Sequence, residues 1–206
     1  MSVRTLFVSW FVMLGVLAWP ATSVAQTEPA LVPVEQFHAQ LLGIMRDGKT
    51  LGFAGRKARF ADLLAQTFDR QLIARRVLSP HWKAFDNATR SELHDLVFEF
   101  ATSILAVQFT DYDNQHFETL FSRKLKRGMV RVRSHFHLDD GEPPVKVDFV
   151  LRPVGETWKI ADFWFEGVSG TTIHHAEFNA VLRKGGKDAL VKALRTKIDG
   201  LIAKYR

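Results

Sequence analysis

The sequence has no cysteine among its 206 residues. Disulfide bonds, thiol catalysis and thiolate metal sites are therefore excluded, so the fold must be held by its apolar core. The chain also lacks the glycine-rich loops that bind nucleotides and the paired histidines of zinc proteases. Its basic residues give a formal net charge of +6 without forming a tract, which argues against a nucleic-acid partner.

Hydrophobic runs long enough to span a membrane, about 20 residues, are also absent. At the N-terminus, Arg4 is the only charge in the first 25 residues, and a short apolar run leads to Ser23-Val24-Ala25. This order is typical of a secretory signal peptide. We predict a signal peptide over 1–25, cleaved after Ala25, followed by a single domain over 26–206. An uncleaved membrane anchor is the alternative.

Large apolar side chains are abundant, because the chain contains 17 Phe and 5 Trp. Such a composition indicates an interior with much apolar surface, sufficient for packing and for a lipophilic cavity. The modest basic surplus is compatible with anionic lipid surfaces or acidic partners.

Apolar residues recur at helical spacing through the first half of the exported chain. This pattern predicts helices near 33–47, 56–67 and 69–77, followed by a strongly apolar helix at 89–109. The sequence Thr89-Arg90-Ser91-Glu92 has the form of a capping box and would open that last helix. Apolar residues on two sides of it predict a central position in the fold.

The period changes to alternation over about 116–166, which predicts four antiparallel strands joined by short turns. The fourth strand is apolar on both faces in its second half, so both faces should be covered. Helical spacing returns over about 172–204 with a break at Gly185-Gly186. The order predicts an α+β fold in which helices pack on a curved four-stranded meander, with an apolar pocket between them.

Two histidines form the most suggestive metal candidate. Alternation places His135 and His137 on one strand face, with Asp139 and Asp140 in the turn that follows. That face is polar, and the sequence marks no third ligand beside them. Solvent-facing histidines are therefore the favoured interpretation, and no metal or cofactor is expected.

Candidates for catalysis are equally sparse. Asp148 and Asp162 lie on neighbouring predicted strands and could act as an acid–base pair if one were desolvated. Cationic neighbours of Asp148, Lys146 or Arg152, favour a structural role instead. Ser169 is not in a nucleophile elbow, because that motif requires glycine two residues later. A binding protein is therefore favoured over an enzyme; the alternative is an enzyme on a nuclear-transport-factor-like fold that uses Asp162 or a histidine.

Three motifs carry a family resemblance: Pro143-Pro144-Val145-Lys146-Val147-Asp148-Phe149, then Trp158-Lys159-Ile160-Ala161-Asp162, then Glu166-Gly167-Val168-Ser169. They resemble the MlaC family of periplasmic phospholipid-binding proteins, also called the toluene-tolerance family, and its hopanoid-associated branch, HpnM. The resemblance covers most of the exported chain and is most specific near 143–169. One departure is the polar Gly170-Thr171-Thr172 after the last motif, where family members often carry a more apolar run.

The resemblance implies a periplasmic carrier and not an enzyme. Members of the family move phospholipid between an outer-membrane lipoprotein complex and an inner-membrane ABC transporter with an MCE-domain protein. The resemblance thus implies a role in membrane lipid asymmetry. A hopanoid is the alternative cargo. A monomer is expected, because a shuttle has to diffuse between two docking sites.

The long helix and the inner sheet face are expected to line the lipid pocket, although ordinary core packing is the alternative for each residue. On the opposite, polar strand face, Arg131, Arg133 and Lys146 are candidates for headgroup or docking contacts, with a solvated strand face as the alternative. The candidate lipid-binding residues are Phe100, Ile104, Val107, Val147, Phe149, Leu151, Ile160 and Phe163.

Overall fold

The structure, a computed structural model, describes residues 28–138 and 141–205. The predicted signal peptide lies outside the described residues, as do Asp139 and Asp140 of the predicted metal candidate. Among the helices that the structure describes, none is both long enough and apolar enough to cross a membrane.

The first half of the described chain is helical. Its elements are α1 (Val32–Arg46), α2 (Gly48–Thr67), α3 (Arg70–Val77), a short 3-10 helix (His81–Ala84) and α4 (Asn87–Gln108). Helix α2 begins well before the predicted residue 56 and contains a break at Gly52, where φ is 58°. The predicted start of this fourth helix at Thr89 was wrong, because α4 begins at Asn87. The carboxylate of Asp86 accepts a hydrogen bond from the Thr89 backbone N–H at 2.7 Å and is the N-cap of α4.

The predicted antiparallel meander is confirmed, with one short strand added. The sheet has the order β1-β2-β3-β4-β5, and β5 pairs with β4 across a tight turn at Glu166 and Gly167, both with positive φ. The strands are β1 (His116–Lys124), β2 (Val130–His137), β3 (Val145–Val154), β4 (Thr157–Phe165) and β5 (Val168–Ser169).

A final helical stretch, α5 (Gly170–Tyr205), follows the sheet. It is broken at Gly186, where φ is 68°, so the predicted break at Gly185-Gly186 is confirmed. A side chain at this φ would be strained, which explains the glycine.

Helices cover one face of the sheet. The ring of Phe37 on α1 lies edge-on to Phe149 of β3, with 5.5 Å between their centroids. At the end of α4, Phe109 lies edge-on to Phe136 of β2, with 6.3 Å between centroids. These contacts bury the inner face of the sheet in the core, Ser134 of β2 included, whereas Arg131, Arg133, His135 and His137 of β2 lie half-buried on the opposite, uncovered face.

The second half of β4 is less covered than its apolar sequence predicts. Phe163 and Phe165 are 37% and 51% exposed, respectively, so the prediction that both faces are covered was wrong. Gly170 at the start of α5 and Phe68 pack against Phe163 but leave this end of the strand partly exposed.

Candidate functional site

A cleft of about 740 Å³ opens among α2, α4 and the C-terminal end of α5. Its apolar lining includes Phe53 and Leu64 of α2, Phe98 of α4 and Ile202 of α5. Ligand sites in proteins typically measure roughly 300–1,000 Å³ and are mostly apolar. The cleft therefore has the size and lining of a site for an apolar ligand.

Small residues on α2 keep the cleft wide. Ala54, Ala58 and Ala61 line it and share one helix face, because they are spaced by four and three residues. All three are exposed. Gly52 also lines the cleft and breaks α2 between the two helices that the sequence predicted at 33–47 and 56–67. Alanines at helical spacing were the sequence signal that could have located this wall.

Charged side chains surround the apolar lining. Lys57 Nζ of α2 lies 2.7 Å from Glu99 Oε1 of α4. Arg70 of α3 lies 3.9 Å from the Asp95 carboxylate, and its guanidinium carbon lies 4.7 Å from the centroid of the Phe98 ring. Partly exposed ion pairs of this kind contribute about 1 kcal/mol or less. They can therefore be exchanged for the charges of a ligand at little cost.

The eight predicted lipid-binding residues do not line this cleft. Among the described residues, its lining comes from helices alone, whereas the sequence predicts a pocket between helices and sheet. Their role in binding lipid stays a prediction. Val147, Phe149, Leu151 and Ile160 are buried in the inner face of the sheet, and Phe163 is partly exposed beside them. On α4, Phe100 is buried, whereas Ile104 and Val107 are half-buried.

Packing explains the position of the aromatic members of that set. Phe100 lies against α5, with 6.5 Å between its ring centroid and that of Phe178. Phe163 lies edge-on to Phe68, with 6.5 Å between centroids. Each ring thus joins two elements of the fold.

The two candidate catalytic carboxylates are held by hydrogen bonds. Asp148 accepts two from its cross-strand partner Arg133, at 2.7 and 2.8 Å, and this bonding raises the pKa of Arg133 above its usual value. The cation that pairs with Asp148 is therefore Arg133 and not the expected Lys146 or Arg152; Arg152 pairs with Asp69, the N-cap of α3.

Asp162 has a different set of partners. Its carboxylate accepts hydrogen bonds from Ser169 Oγ at 2.7 Å and from the Thr171 backbone N–H at 3.3 Å. Ser169 Oγ in turn accepts from the Thr172 N–H at 3.1 Å. The carboxylate and hydroxyl thus secure the start of α5, which gives a structural reason for these residue types here.

One buried histidine was not identified from the sequence. His38 of α1 is 7% exposed and stacks on Phe117 of β1, with 4.0 Å between ring centroids. Burial lowers the pKa of His38 to about 4, so the ring is neutral at physiological pH. Its Nε2 has no hydrogen-bond partner within the described chain. The residue is part of the core and does not line the cleft.

Comparison with known proteins gives one family and one fold. The family model described as MlaC protein matches residues 35–196. The sequence matches no protein of curated function. Among solved structures, the fold is similar to a phospholipid-binding protein from Ralstonia solanacearum in complex with a phospholipid, with a TM-score of 0.73 and 19% sequence identity. The match covers 85% of this chain and 99% of that protein.

Proposed function

The chain belongs to the MlaC family, and we propose that it is a periplasmic carrier that binds phospholipid by its acyl chains. The cleft among α2, α4 and α5 carries the proposal, because it offers an apolar lining of ligand-site size that solvent can reach. The Ralstonia solanacearum protein of the same fold is described in complex with a phospholipid. That description supports the same class of ligand here.

The energetic role of the cleft is to remove acyl chains from water. Exposure costs about 0.8 kcal/mol per methylene, so a chain of about 15 methylenes faces a barrier on the order of 12 kcal/mol. Contact with side chains such as Phe98 and Ile202 offsets most of that cost without any chemical step. Release requires only an acceptor that binds the lipid better, or docking that opens the cleft.

The charged rim suits a lipid headgroup. Lys57 and Arg70 each pair with a carboxylate in the free protein, and both can turn to a phosphate. A guanidinium binds phosphate oxygens through two parallel hydrogen bonds, which makes Arg70 the better candidate for orienting the headgroup. The partners that they release, Asp95 and Glu99, remain available to a headgroup amine.

The wider system forms part of the same proposal. The N-terminal sequence over 1–25 supports export, and the family supports transfer between an outer-membrane lipoprotein complex and an inner-membrane ABC transporter with an MCE-domain protein. The protein acts as a monomer and is not an enzyme. The hydrogen bonds held by Asp148 and Asp162 support the second statement, because they give both carboxylates structural partners.

Native mass spectrometry of the protein, purified from a periplasm without detergent, tests the proposal. A phospholipid bound in near-stoichiometric amount, identified by lipid extraction, is the expected result. A hopanoid in its place would identify a different cargo but would still support the carrier function. A lipid-free mass that stays unchanged after incubation with phospholipid vesicles would overturn the carrier function.

A further inference from the structure

The uncovered face of the sheet carries a group of metal-ligating side chains at its β1–β2 end. In the register of these strands, His116 pairs with His137 and Glu118 pairs with His135. Residues two apart on a strand share a face, and direct partners have Cβ atoms about 4.5–5.5 Å apart. Three imidazoles and one carboxylate therefore occupy four adjacent positions on one surface.

The donor atoms of three of these residues converge. Within Glu118, His135 and His137, one ligand atom from each lies within 4.8 Å of the other two. Glu118 Oε2 and His137 Nε2 are 3.4 Å apart. Two ligands about 2.1 Å from a tetrahedral zinc ion are separated by about 3.4 Å. The pair Glu118 and His137 already has this spacing, whereas His135 lies within 4.8 Å of both and would have to rotate its side chain to reach it.

The sequence indicates His135 and His137 as candidate ligands but no third ligand beside them. Glu118 is distant from them in the chain and is brought close only by the β1–β2 register. Neither of the aspartates of the following turn is needed to complete the set.

The chemistry of the donors selects the ion. Two imidazoles and one carboxylate form a set that zinc sites with an open fourth position use. Imidazole nitrogen also suits Cu²⁺ and Ni²⁺, whereas Mg²⁺ and Ca²⁺ prefer oxygen ligands alone. His116 stacks on His137, with 4.4 Å between ring centroids and 4° between ring planes. The stacking restricts the orientation of His137 and places His116 next to the cluster.

Cations beside His135 oppose binding, although Arg133 on the same strand face is already paired with Asp148. Lys146 of β3 is the register partner of His135 on the other side. Its side chain is exposed, so its amine can turn into water, where salt screens it from the site. The opposing effect is therefore modest.

We propose that Glu118, His135 and His137 form a binding site for a borderline divalent transition-metal ion, with Zn²⁺ as the first ion to test. The bound ion joins β1, the first strand of the sheet, to β2. The site lies on the polar sheet face, whereas the cleft is lined by helical residues. Metal binding is thus independent of the proposed lipid function.

Isothermal titration of the full chain, free of any polyhistidine tag, tests the proposal. We expect one Zn²⁺ per chain and no detectable binding of Mg²⁺. The substitutions His135→Gln, His137→Gln and Glu118→Gln should each weaken Zn²⁺ binding by at least about tenfold, the loss that even second-shell changes cause. His175→Gln is the matched control, because His175 is an exposed histidine of α5 outside the cluster.

Substitution of Co²⁺ for Zn²⁺ gives a second measurement, since four-coordinate Co²⁺ absorbs strongly in the visible range. The band should appear with the unsubstituted protein and with His175→Gln, and weaken in the three site variants. Circular dichroism confirms that each variant is folded. Absence of Zn²⁺ binding, or binding that the three site substitutions leave unchanged, would overturn the proposal.

Discussion

Lys57 and Glu99 face each other from opposite walls of the cleft, with 2.7 Å between Nζ and Oε1. Their side chains are 21% and 44% exposed, respectively, so the pair is open to exchange with a charged ligand. Under the proposed function, the cation serves two partners in turn: the carboxylate in the empty protein and the lipid phosphate in the loaded one.

Replacement of Lys57 should therefore weaken lipid binding. We expect Lys57→Met to lower the affinity for phosphatidylglycerol by about threefold to tenfold, because one partly exposed charge pair is lost. Displacement of a fluorescent lipid measures the change. Lys83→Met, at an exposed position outside the cleft, should leave the affinity unchanged. Equal affinities in the two variants would show that Lys57 does not contribute to lipid binding.

Filling the cleft should exclude the acyl chain. Ala58→Phe adds an aromatic ring to the alanine-lined wall of α2, so the co-purifying lipid should be lost. Ala65→Phe adds the same ring at an exposed position of α2 that does not line the cleft, and it should retain lipid. The bound fraction is read by native mass spectrometry. Retention of lipid by Ala58→Phe would instead favour the predicted site at residues such as Ile104 and Phe149.

A buried guanidinium stabilises one end of the cleft. Arg56 is 7% exposed and donates hydrogen bonds to the carbonyl oxygens of Ala106 at 2.8 Å and Gly48 at 2.6 Å. We expect Arg56→Met to lower the free energy of unfolding by about 3 kcal/mol, because two buried carbonyls lose a charged donor. Urea unfolding measures this loss.

The same substitution at Arg59 provides the control. Its side chain is 57% exposed and its nearest carboxylate oxygen, on Asp47, is 3.9 Å away. Arg59→Met should change the free energy of unfolding by about 0.5 kcal/mol or less. A loss of similar size in both variants would mean that helix propensity, and not the buried bonds, is responsible.

The stability should fall as pH decreases towards 4, partly through His38. Its pKa is lowered from 6.5 to about 4 in the folded chain, so the unfolded chain binds the proton more readily. The loss begins below about pH 6.5 and reaches up to about 3 kcal/mol near pH 4. Below that pH the folded protein binds the proton too, and this contribution stops changing.

Comparison with His38→Leu isolates this effect from carboxylate titration. The variant should lose less free energy of unfolding between pH 7 and pH 4.5 than the unsubstituted protein does. His175→Gln should behave as the unsubstituted protein, because His175 is exposed. Identical pH profiles for all three proteins would show that His38 is not the titrating group.

The elements that depend on local pattern could be predicted from the sequence. Alternation located β2 and β3, and glycine located the break at Gly186, because both signals depend on the residue's own neighbours. The start of α4 was misplaced for a related reason. Asp86 and Thr89 are both good caps, and sequence alone does not decide between them.

The candidate sites depend on contacts between distant segments. The cleft requires the packing of α2 against α4 and α5, and the approach of Glu118 to His137 requires the β1–β2 register. The exposure of Phe165 depends on where the helical layer ends. Apart from the alanine spacing of α2, these relations leave no local signal in the sequence, which explains why the residues predicted to line a pocket are not those that line the cleft.

The buried bonds of Arg56 also determine where the cleft walls can separate. Helices α2 and α4 run in opposite directions, since Gly48 and Ala106 share Arg56 at one end and Lys57 and Glu99 pair further along. Buried bonds resist separation, whereas exposed ion pairs exchange with water. The bond from Arg56 to Ala106 joins α2 to α4, so under the proposed function we expect the acyl chain to enter tail first from the side of the exposed pair Arg70 and Asp95. The distance between that pair and the Arg56 bond would then limit the length of chain that the cleft can enclose.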